Sequence, residues 1–250
     1  MNILRPLIDF ILPPRCYGCG DVLDENQQLC ANCWKSLNFI SKPLCDTCGF
    51  PFSYEVSEGA LCGHCAHKLP AFDMARATFY YDEGSKPLLL KFKHGDALYG
   101  ADLLEEFLSK SSQDVVSKLE NPIVTPIPLH WTRLFKRMYN QSAILGQKLS
   151  QRHSYEYVPD LLLRQKRTPY LGNFGRDERK KILRGAFILN PKYNTKKRDI
   201  LLIDDVHTTG ATLNQASKIL KSKGAQRVGV LTLARVVNRS EERRVGKECL

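Results

Sequence analysis

The sequence of 250 residues contains no uninterrupted apolar run close to the roughly 20 residues that a membrane-spanning helix needs. Its opening segment, MNILRPLIDFILPP, is apolar but short, carries Arg5 and Asp9, and lacks the small-residue cleavage pattern of an export signal. We interpret residues 1–14 as a short packing or interfacial helix. These absences favour a cytoplasmic protein with no integral membrane span, and they leave an association with the inner face of the membrane open.

Acidic residues are scarce in one part of the chain. Residues 130–198 hold four Asp and Glu against 17 Lys and Arg, a net charge of +13, whereas residues 1–70 hold seven against five, a net charge of −2. The positive field therefore belongs to one region and favours a phosphate-rich partner, either a nucleic acid or a phosphorylated metabolite. A solvated basic face without a partner is the alternative interpretation.

The nine cysteines are concentrated near the N-terminus, where eight of them form four Cys-x-x-Cys pairs. Two thiolates separated by two residues can bind one tetrahedral ion, and two such pairs complete a four-sulfur zinc site. A disulfide framework is the less favoured alternative, because the sequence shows no export signal. We predict two structural zinc sites within residues 15–70, with the ligands Cys16, Cys19, Cys30, Cys33, Cys45, Cys48, Cys62 and Cys65.

The grouping of these pairs can be sequential or interleaved. Sequential pairing joins the first pair to the second and the third to the fourth, whereas interleaving joins the first to the third. We favour sequential pairing because its loops are shorter and cost less entropy to close. Metal binding would then supply much of the folding free energy of this small segment.

From about residue 71, strand-like and helix-like segments alternate. Strands are predicted at 75–83, 121–128, 161–165, 185–189, 199–205 and 227–236, and an amphipathic helical stretch at 131–150. This alternation is typical of an α/β fold with a doubly wound parallel sheet. In such sheets, ligands bind beyond the carboxyl ends of the strands.

The segment ILLIDDVHTTGATL, residues 200–213, carries the main functional signal. A buried strand brings Asp204 and Asp205 to the crevice, where carboxylates can accept hydrogen bonds from vicinal hydroxyls and help organise a hydrated Mg²⁺. The small residues after them form a turn at the start of a helix, where backbone N–H groups can converge on a phosphate. Diol and phosphate sites together predict a ligand with a ribose 5-phosphate group. A Walker-type triphosphate loop is excluded, because no Gly-Lys-Ser/Thr follows.

This segment resembles the phosphoribosyl pyrophosphate (PRPP) loop of type I phosphoribosyltransferases. Together with the four Cys-x-x-Cys pairs and PIPLHWTRLFKRMYNQS at 126–142, it makes the chain similar to the ComF family up to about residue 237. The resemblance implies an N-terminal double zinc ribbon, then a phosphoribosyltransferase-like domain at 71–238. It also implies a role in natural transformation, in which incoming single-stranded DNA passes into the cytoplasm.

The resemblance also implies roles for particular residues. Asp204 and Asp205 would hold the ribose hydroxyls, and the turn at 126–129 would meet pyrophosphate. The implied PRPP-binding residues are Asp204, Asp205, Val206, His207, Thr208, Thr209, Gly210, Ala211, Thr212, Pro126 and Ile127. Mg²⁺ and basic groups would stabilise the departing pyrophosphate. The candidate catalytic residues are Asp204, Asp205, Arg133, Arg137 and Arg176, with Arg164 and Arg179 as further cations.

The chain departs from the family pattern near these residues. Met138 and Tyr139 stand where relatives commonly show Gly-Phe, and Leu171 and Ile182 stand where a Gln and an Asn are common. The segment 167–182 fits a mobile lid over the ligand. We interpret Met138 and Tyr139 as helix-packing residues. The charged tail at 239–250 resembles a cloning or sequencing scar and is left out of the fold prediction.

Three hypotheses follow from these patterns. The first is a PRPP-binding accessory protein for DNA uptake, whose basic region contacts single-stranded DNA. Its stacking residues could be Phe79, Tyr80, Tyr81 and Phe92, and the equally favoured alternative is that these four are core residues. The second is an active phosphoribosyltransferase that acts on a base or an amine and releases pyrophosphate. The third is a structural adaptor whose zinc ribbons recruit a partner such as a DNA-uptake helicase. We favour the first.

Overall fold

The computed structural model describes residues 13–23, 28–93, 98–168 and 174–237. The predicted helix at 1–14, apart from residues 13 and 14, and the tail at 239–250 lie outside these ranges. The described strands are β1 (Met74–Tyr80), β2 (Ile123–Pro126), β3 (Glu156–Tyr157), β4 (Leu162–Arg164), β5 (Phe187–Leu189), β6 (Ile200–His207) and β7 (Val228–Arg235). The described α-helices are α1 (Ala31–Lys35), α2 (Gly63–His67), α3 (Lys86–Lys93), α4 (Ala101–Val116), α5 (Trp131–Arg137), α6 (Gln141–His153), α7 (Arg176–Leu183) and α8 (Ala211–Ser222).

A five-stranded sheet forms the centre of the fold, with the strand order β1-β7-β6-β2-β3 and parallel pairing throughout. All eight residues of β7 and the first four of β6 are buried, because helices cover both faces of a parallel sheet and leave no solvent side. Apolar residues of α3, α4 and α6 form the core on one face. Those of α8 and of β5 belong to the core on the other face. The predicted doubly wound parallel sheet is confirmed.

Two predicted segments differ in detail. The strands β4 and β5 pair with each other in antiparallel fashion and form a separate two-stranded sheet. The predicted helical stretch at 131–150 is interrupted, because Met138 adopts a left-handed conformation with φ of 65° and ends α5. Asn140 then caps α6 by accepting a hydrogen bond from the Ser142 amide. A continuous amphipathic pattern did not reveal this break, since Met seldom adopts positive φ.

The cysteine-rich segment packs on the sheet rather than standing apart from it. The Ala75 amide in β1 donates to the Thr47 carbonyl at 2.7 Å, and the Ile40 amide donates to the Thr78 carbonyl at 2.9 Å. Tyr17 is 1% exposed and its hydroxyl donates to the Leu88 carbonyl at 3.3 Å. The boundary predicted at residues 70 and 71 remains a prediction, and the two segments share their hydrophobic cores across it. In the part of the chain that the structure describes, none of the helices combines the length and the apolar character required to cross a membrane.

Candidate functional site

Two four-cysteine clusters lie in the N-terminal segment. Cys16, Cys19, Cys30 and Cys33 form one cluster, and Cys45, Cys48, Cys62 and Cys65 form the other. Within each cluster, the four sulfur atoms lie within 4.8 Å of one another. This grouping is sequential, in agreement with the pairing that the shorter loops favoured.

The sulfur geometry fits zinc. A tetrahedral ion with Zn–S bonds near 2.3 Å places its sulfur ligands about 3.8 Å apart. The distance between Cys19 Sγ and Cys30 Sγ is 3.7 Å, and that between Cys48 Sγ and Cys62 Sγ is 3.6 Å. Four thiolates complete the coordination shell and leave no open position for catalysis, so these are structural sites.

The two clusters differ in burial. All four cysteines of the second cluster are buried, whereas Cys19 of the first is exposed. The second cluster contacts the end of β7, where Arg235 donates to the Cys48 carbonyl at 2.7 Å and approaches Cys48 Sγ at 3.6 Å. Arg235 also meets His207 Nδ1 at 3.1 Å. A chain of contacts therefore joins the second cluster to the end of β6.

The paired carboxylates lie where β6 approaches the crevice, and the strand continues past them to His207. Asp205 forms an ion pair with Lys93, with 2.9 Å between Oδ2 and Nζ, and each side chain is 21% exposed. Asp204 accepts from the Ser142 hydroxyl at 3.2 Å and from the Asp205 amide at 2.9 Å. Both carboxylates are partnered and part-buried, and the ion pair of Asp205 keeps contact with solvent.

Burial raises the pKa of Asp204 to about 7, and the neighbouring Asp205 charge adds to the shift. The Asp205 amide, Lys93 and Ser142 oppose it. Burial alone would lower the pKa of Lys93, but the Asp205 carboxylate outweighs it and the net shift is upward. Lys93 therefore keeps its positive charge at neutral pH, while Asp204 titrates near neutrality.

This shift predicts how stability depends on pH. The folded state favours the protonated form of Asp204, so ionisation costs stability progressively as pH rises from the ordinary value of 3.8 to about 7. We expect Asp204→Asn to raise the melting temperature, by a margin over the parent protein that grows between pH 5 and 7 and is constant above. Asp102→Asn at an exposed position of α4 is the charge-matched control. A margin that is independent of pH would contradict the assignment.

Lys93 pairs with Asp205, and Arg164 lies close enough to Asp204 for their charges to interact. Arg133 of α5 and Arg164 of β4 converge on Thr168, where Arg133 donates to the carbonyl at 2.9 Å and Arg164 to the hydroxyl at 2.5 Å. Burial lowers the pKa of Arg164 to about 10, and the Arg133 charge adds to this effect. The Arg164 Nε is buried and has no hydrogen-bond partner in the described structure. With Lys93, these groups form a positive cleft beside Asp204 that suits a polyanion.

The phosphate loop lies between the end of β6 and the start of α8. Gly210 is the N-cap of α8 with φ of 70°, and it provides no side chain to accept from the amides of the first helical turn. In the described structure, only a weak contact from the Thr209 side chain caps these N–H groups, so they can bind an anion. Thr209 Oγ1 accepts from the Ala211 amide at 3.4 Å, and Thr208 Oγ1 accepts from Arg179 at 3.0 Å. Arg179 of the predicted lid thus reaches the loop.

Replacing Gly210 with Ala tests the loop conformation. A Cβ at this position would lie 2.8 Å from His207 Nε2, and the positive φ is unfavourable for any residue with a Cβ. We expect at least a tenfold loss of phosphate-ligand affinity with only a small fall in melting temperature, measured by calorimetry and thermal unfolding. Gly59→Ala is the matched control, because Gly59 has φ of 79° and open space around its Cβ direction. Unchanged affinity in Gly210→Ala would contradict this role.

The His207 side chain contacts residues outside the carboxylate pair. It is 4% exposed and contacts Arg235 and the Phe72 ring. Its Nε2 lies beside Gly210 of the loop, and its contact with the ligand remains a prediction. A cavity of about 240 Å³ lies here between the second zinc cluster and the loop, lined among others by Lys68, Thr208 and Lys218.

Hydrogen bonds from β6 and from the start of α6 hold the turn after β2 in place. Ile127 continues the sheet by donating to the Ile203 carbonyl at 2.9 Å, and its own carbonyl accepts from Asn140 at 3.0 Å. Gln141 is 1% exposed and donates to the Lys93 carbonyl at 3.2 Å. Asn140 and Gln141 therefore join the turn of Pro126 and Ile127 to the cation Lys93.

Some predicted residues are placed differently. Arg137 donates to Gln141 at 3.4 Å, and the side chain of Arg176 lies outside the described residues, as does Leu171. Met138 is 83% exposed, so its interpretation as a packing residue was wrong, whereas the Tyr139 hydroxyl donates to the Phe92 carbonyl. Phe79 and Phe92 are each 1% exposed, and Tyr80 and Tyr81 are part-buried. A stacking role for Phe79 and Phe92 was therefore wrong.

Sequence reasoning missed Lys93 and Ser142 as neighbours of the paired carboxylates. Both lie more than 60 residues before Asp204 in the chain, on α3 and α6, and no local motif joins them.

Comparison with known proteins assigns the two modules. Residues 7–71 match the double zinc ribbon domain family, and residues 142–249 match the phosphoribosyl transferase domain family. Competence protein F of Haemophilus influenzae is 30% identical over 226 residues, covering 88% of this chain and 96% of that protein. Competence protein ComFC of Streptococcus pneumoniae is 31% identical over 237 residues, covering 88% and 100%. DNA utilization protein YhgH of Escherichia coli is 28% identical over 233 residues, covering 90% and 99%.

These relatives are matched over nearly their whole length, and the match spans both the zinc-binding clusters and the phosphate loop. The chain therefore belongs to the ComF family of competence and DNA-utilization proteins, which combine a double zinc ribbon with a phosphoribosyltransferase-like domain.

Proposed function

We propose that this protein binds PRPP with Mg²⁺ and assists the uptake of single-stranded DNA in natural transformation. The observation that carries the PRPP assignment is the first turn of α8, which has no side-chain cap from Gly210 and follows the paired carboxylates of β6 after a short loop. An anion site at these amides and a diol site at Asp204 and Asp205 are the two recognition elements that a ribose 5-phosphate requires.

The positive cleft is suited to the pyrophosphate group of the same ligand. Lys93, Arg133 and Arg164 lie on the side of Asp204 and Asp205 formed by α3, α5 and β4. The unpartnered Arg164 Nε gives a buried donor whose desolvation an anion would offset. Mg²⁺ would neutralise pyrophosphate charge when bound, and Asp204 and Asp205 are the carboxylates that could hold its hydration shell.

Calorimetric titration of the zinc-loaded protein with PRPP and Mg²⁺ tests this proposal. We expect micromolar affinity, with weaker binding of ribose 5-phosphate because it lacks the group that the cleft would take. Loss of binding when Mg²⁺ is withheld would identify the metal requirement. Absence of binding under all these conditions would overturn the PRPP assignment and favour a structural adaptor that recruits a partner such as a helicase.

The DNA role is supported by the family. Relatives carry the names competence protein and DNA utilization protein. The +13 charge of residues 130–198 is the corresponding physical feature of this chain. Binding of a labelled single strand, followed by anisotropy, should weaken steeply as salt rises because phosphate contacts release counterions.

An active phosphoribosyltransferase is the second candidate, favoured by the three cations of the positive cleft. Such an enzyme would break the bond between the ribose C1 and pyrophosphate, and the cations would stabilise the departing charge. Incubation with PRPP, Mg²⁺ and candidate bases or amines, followed by measurement of released pyrophosphate, distinguishes turnover from binding alone.

A further inference from the structure

Helix α5 has an exposed apolar face. Trp131, Leu134, Phe135 and Met138 follow at spacings of three, one and three residues, so they lie along one side of the helix. Their exposed fractions are 70%, 43%, 81% and 83%. Single exposed apolar residues are ordinary, but four large ones on a helix of seven residues and its C-cap form a contiguous patch that indicates a binding surface.

The same helix is strongly basic. Arg133, Lys136 and Arg137 alternate with the apolar positions, and the sequence contains no Asp or Glu between Glu120 and Glu156. Aromatic rings interleaved with cations are suited to a single-stranded nucleic acid, because bases stack on the rings while the cations attract the phosphates. Two large rings, those of Trp131 and Phe135, are one helical turn apart.

The position of α5 connects this patch with the positive cleft. The helix begins four residues after Ile127, and Arg133 on it donates to Thr168 beside Arg164. The Trp131 ring also contacts His130, with ring centroids 5.6 Å apart and planes inclined by 37°. The patch therefore adjoins the cleft. The Trp131 ring packs against His130, whose side chain is only 6% exposed.

We propose that α5 is a stacking platform for single-stranded nucleic acid, with bases on Trp131 and Phe135 and the phosphate backbone along its cations. The inference rests on the proposed DNA role and gives it a place on the surface. A second copy of this chain is a poorer occupant, because a symmetric contact through α5 would bring three cations of each helix together without a carboxylate on either.

Trp131 fluorescence provides a direct test. The sequence has two tryptophans, so Trp34→Phe leaves Trp131 as the only reporter in the full zinc-loaded chain. We expect titration with oligo(dT) to quench this fluorescence to saturation, and added salt to reverse the quenching. In the parent background, Trp131→Ala and Phe135→Ala should each weaken binding of labelled oligo(dT) about tenfold or more.

Conservative variants separate stacking from general apolar contact. Phe135→Tyr keeps the ring and should keep the affinity, whereas Phe135→Leu keeps apolar character and should lose it. Tyr54→Ala is the matched control, because Tyr54 is an exposed aromatic residue of the second zinc ribbon, with 48% exposure. PRPP affinity should be unchanged in Phe135→Ala, which shows that the fold and the cleft are intact.

Each remaining outcome overturns the inference. If oligo(dT) binds equally well to Trp131→Ala and Phe135→Ala, the strand binds elsewhere and the proposed DNA role survives without this platform. If oligo(dT) does not bind at all, the stacking platform and the proposed DNA role are both wrong, while PRPP binding is decided separately by calorimetry. If light scattering shows a dimer that Phe135→Asp abolishes, α5 is an interface between copies. If Phe135→Leu binds as well as the parent, the patch recognises apolar surface rather than bases.

Discussion

Asp205→Asn is expected to lower the affinity for PRPP and Mg²⁺ at least about a hundredfold. The substitution removes the proposed charged acceptor for the ribose diol and leaves Lys93 without its carboxylate partner at 2.9 Å. Hydrogen bonds to charged groups contribute about 1.5–3 kcal/mol each, so loss of two is sufficient for this effect. Calorimetry of the variant against the parent protein measures it, and thermal unfolding shows that the fold persists.

Two controls identify the cause of the loss. Asp102→Asn makes the same charge change at an exposed position of α4, where Asp102 pairs with Lys148, and should leave PRPP affinity unchanged. The double variant Asp205→Asn with Lys93→Met asks whether Asp205 serves only to neutralise Lys93. In that case the double variant would bind PRPP as well as Lys93→Met alone, which is the reference because Lys93 also belongs to the positive cleft, and our assignment of the diol contact would be wrong. We expect no recovery.

Cys45→Ser is expected to remove one of two zinc ions per chain and lower the melting temperature by more than about 10 °C. Structural zinc supplies a large share of the folding free energy of such modules, and each kcal/mol shifts the melting temperature of a chain of this size by about 2–4 °C. The second cluster is buried in the same hydrophobic core as α8, so its loss exposes more than the ribbon itself. Metal analysis and thermal unfolding measure both effects.

Cys19→Ser is the matched comparison. Cys19 is the exposed member of the first cluster, and that variant should also lose one zinc ion, with a smaller fall in melting temperature. The contacts from Cys48 through Arg235 to His207 give a second distinction, because only the second cluster is joined to the phosphate loop by them. PRPP affinity should fall in Cys45→Ser and remain in Cys19→Ser. Equal effects of the two variants on both properties would contradict this link.

The zinc sites illustrate what local sequence can predict. Cys-x-x-Cys spacing alone indicates a tetrahedral thiolate site, because both ligands of a pair lie in one short turn. Loop length favoured sequential over interleaved pairing. The structure confirms sequential pairing, because it brings together the sulfur atoms of pairs that are neighbours in the sequence. The packing of the second cluster on β7 through Arg235 had no sequence signal, since Cys48 and Arg235 lie 187 residues apart.

The interruption of the helical stretch at Met138 shows why some predictions were wrong. Apolar positions at helical spacing are compatible with a face that packs inward and equally with one that is exposed to a partner. The periodicity of residues 131–138 therefore indicated a helix but not which way its apolar face is directed. That direction depends on the hydrogen bonds of Asn140 and Gln141 to the backbone of distant segments. Met138 is consequently exposed, and Phe79 and Phe92 are core residues.

By itself, the sequence determined the zinc ligands, the parallel α/β architecture, and the strand, turn and helix that carry Asp204 to Thr212. Each of these depends on contacts within a few residues or on the periodic spacing of apolar residues. Tertiary structure alone decided that Lys93, Ser142 and Arg164 surround Asp204 and Asp205, and that α5 exposes its apolar face. These features arise from the juxtaposition of strands and helices distant in the chain, and burial and charge act on a side chain only after that juxtaposition exists.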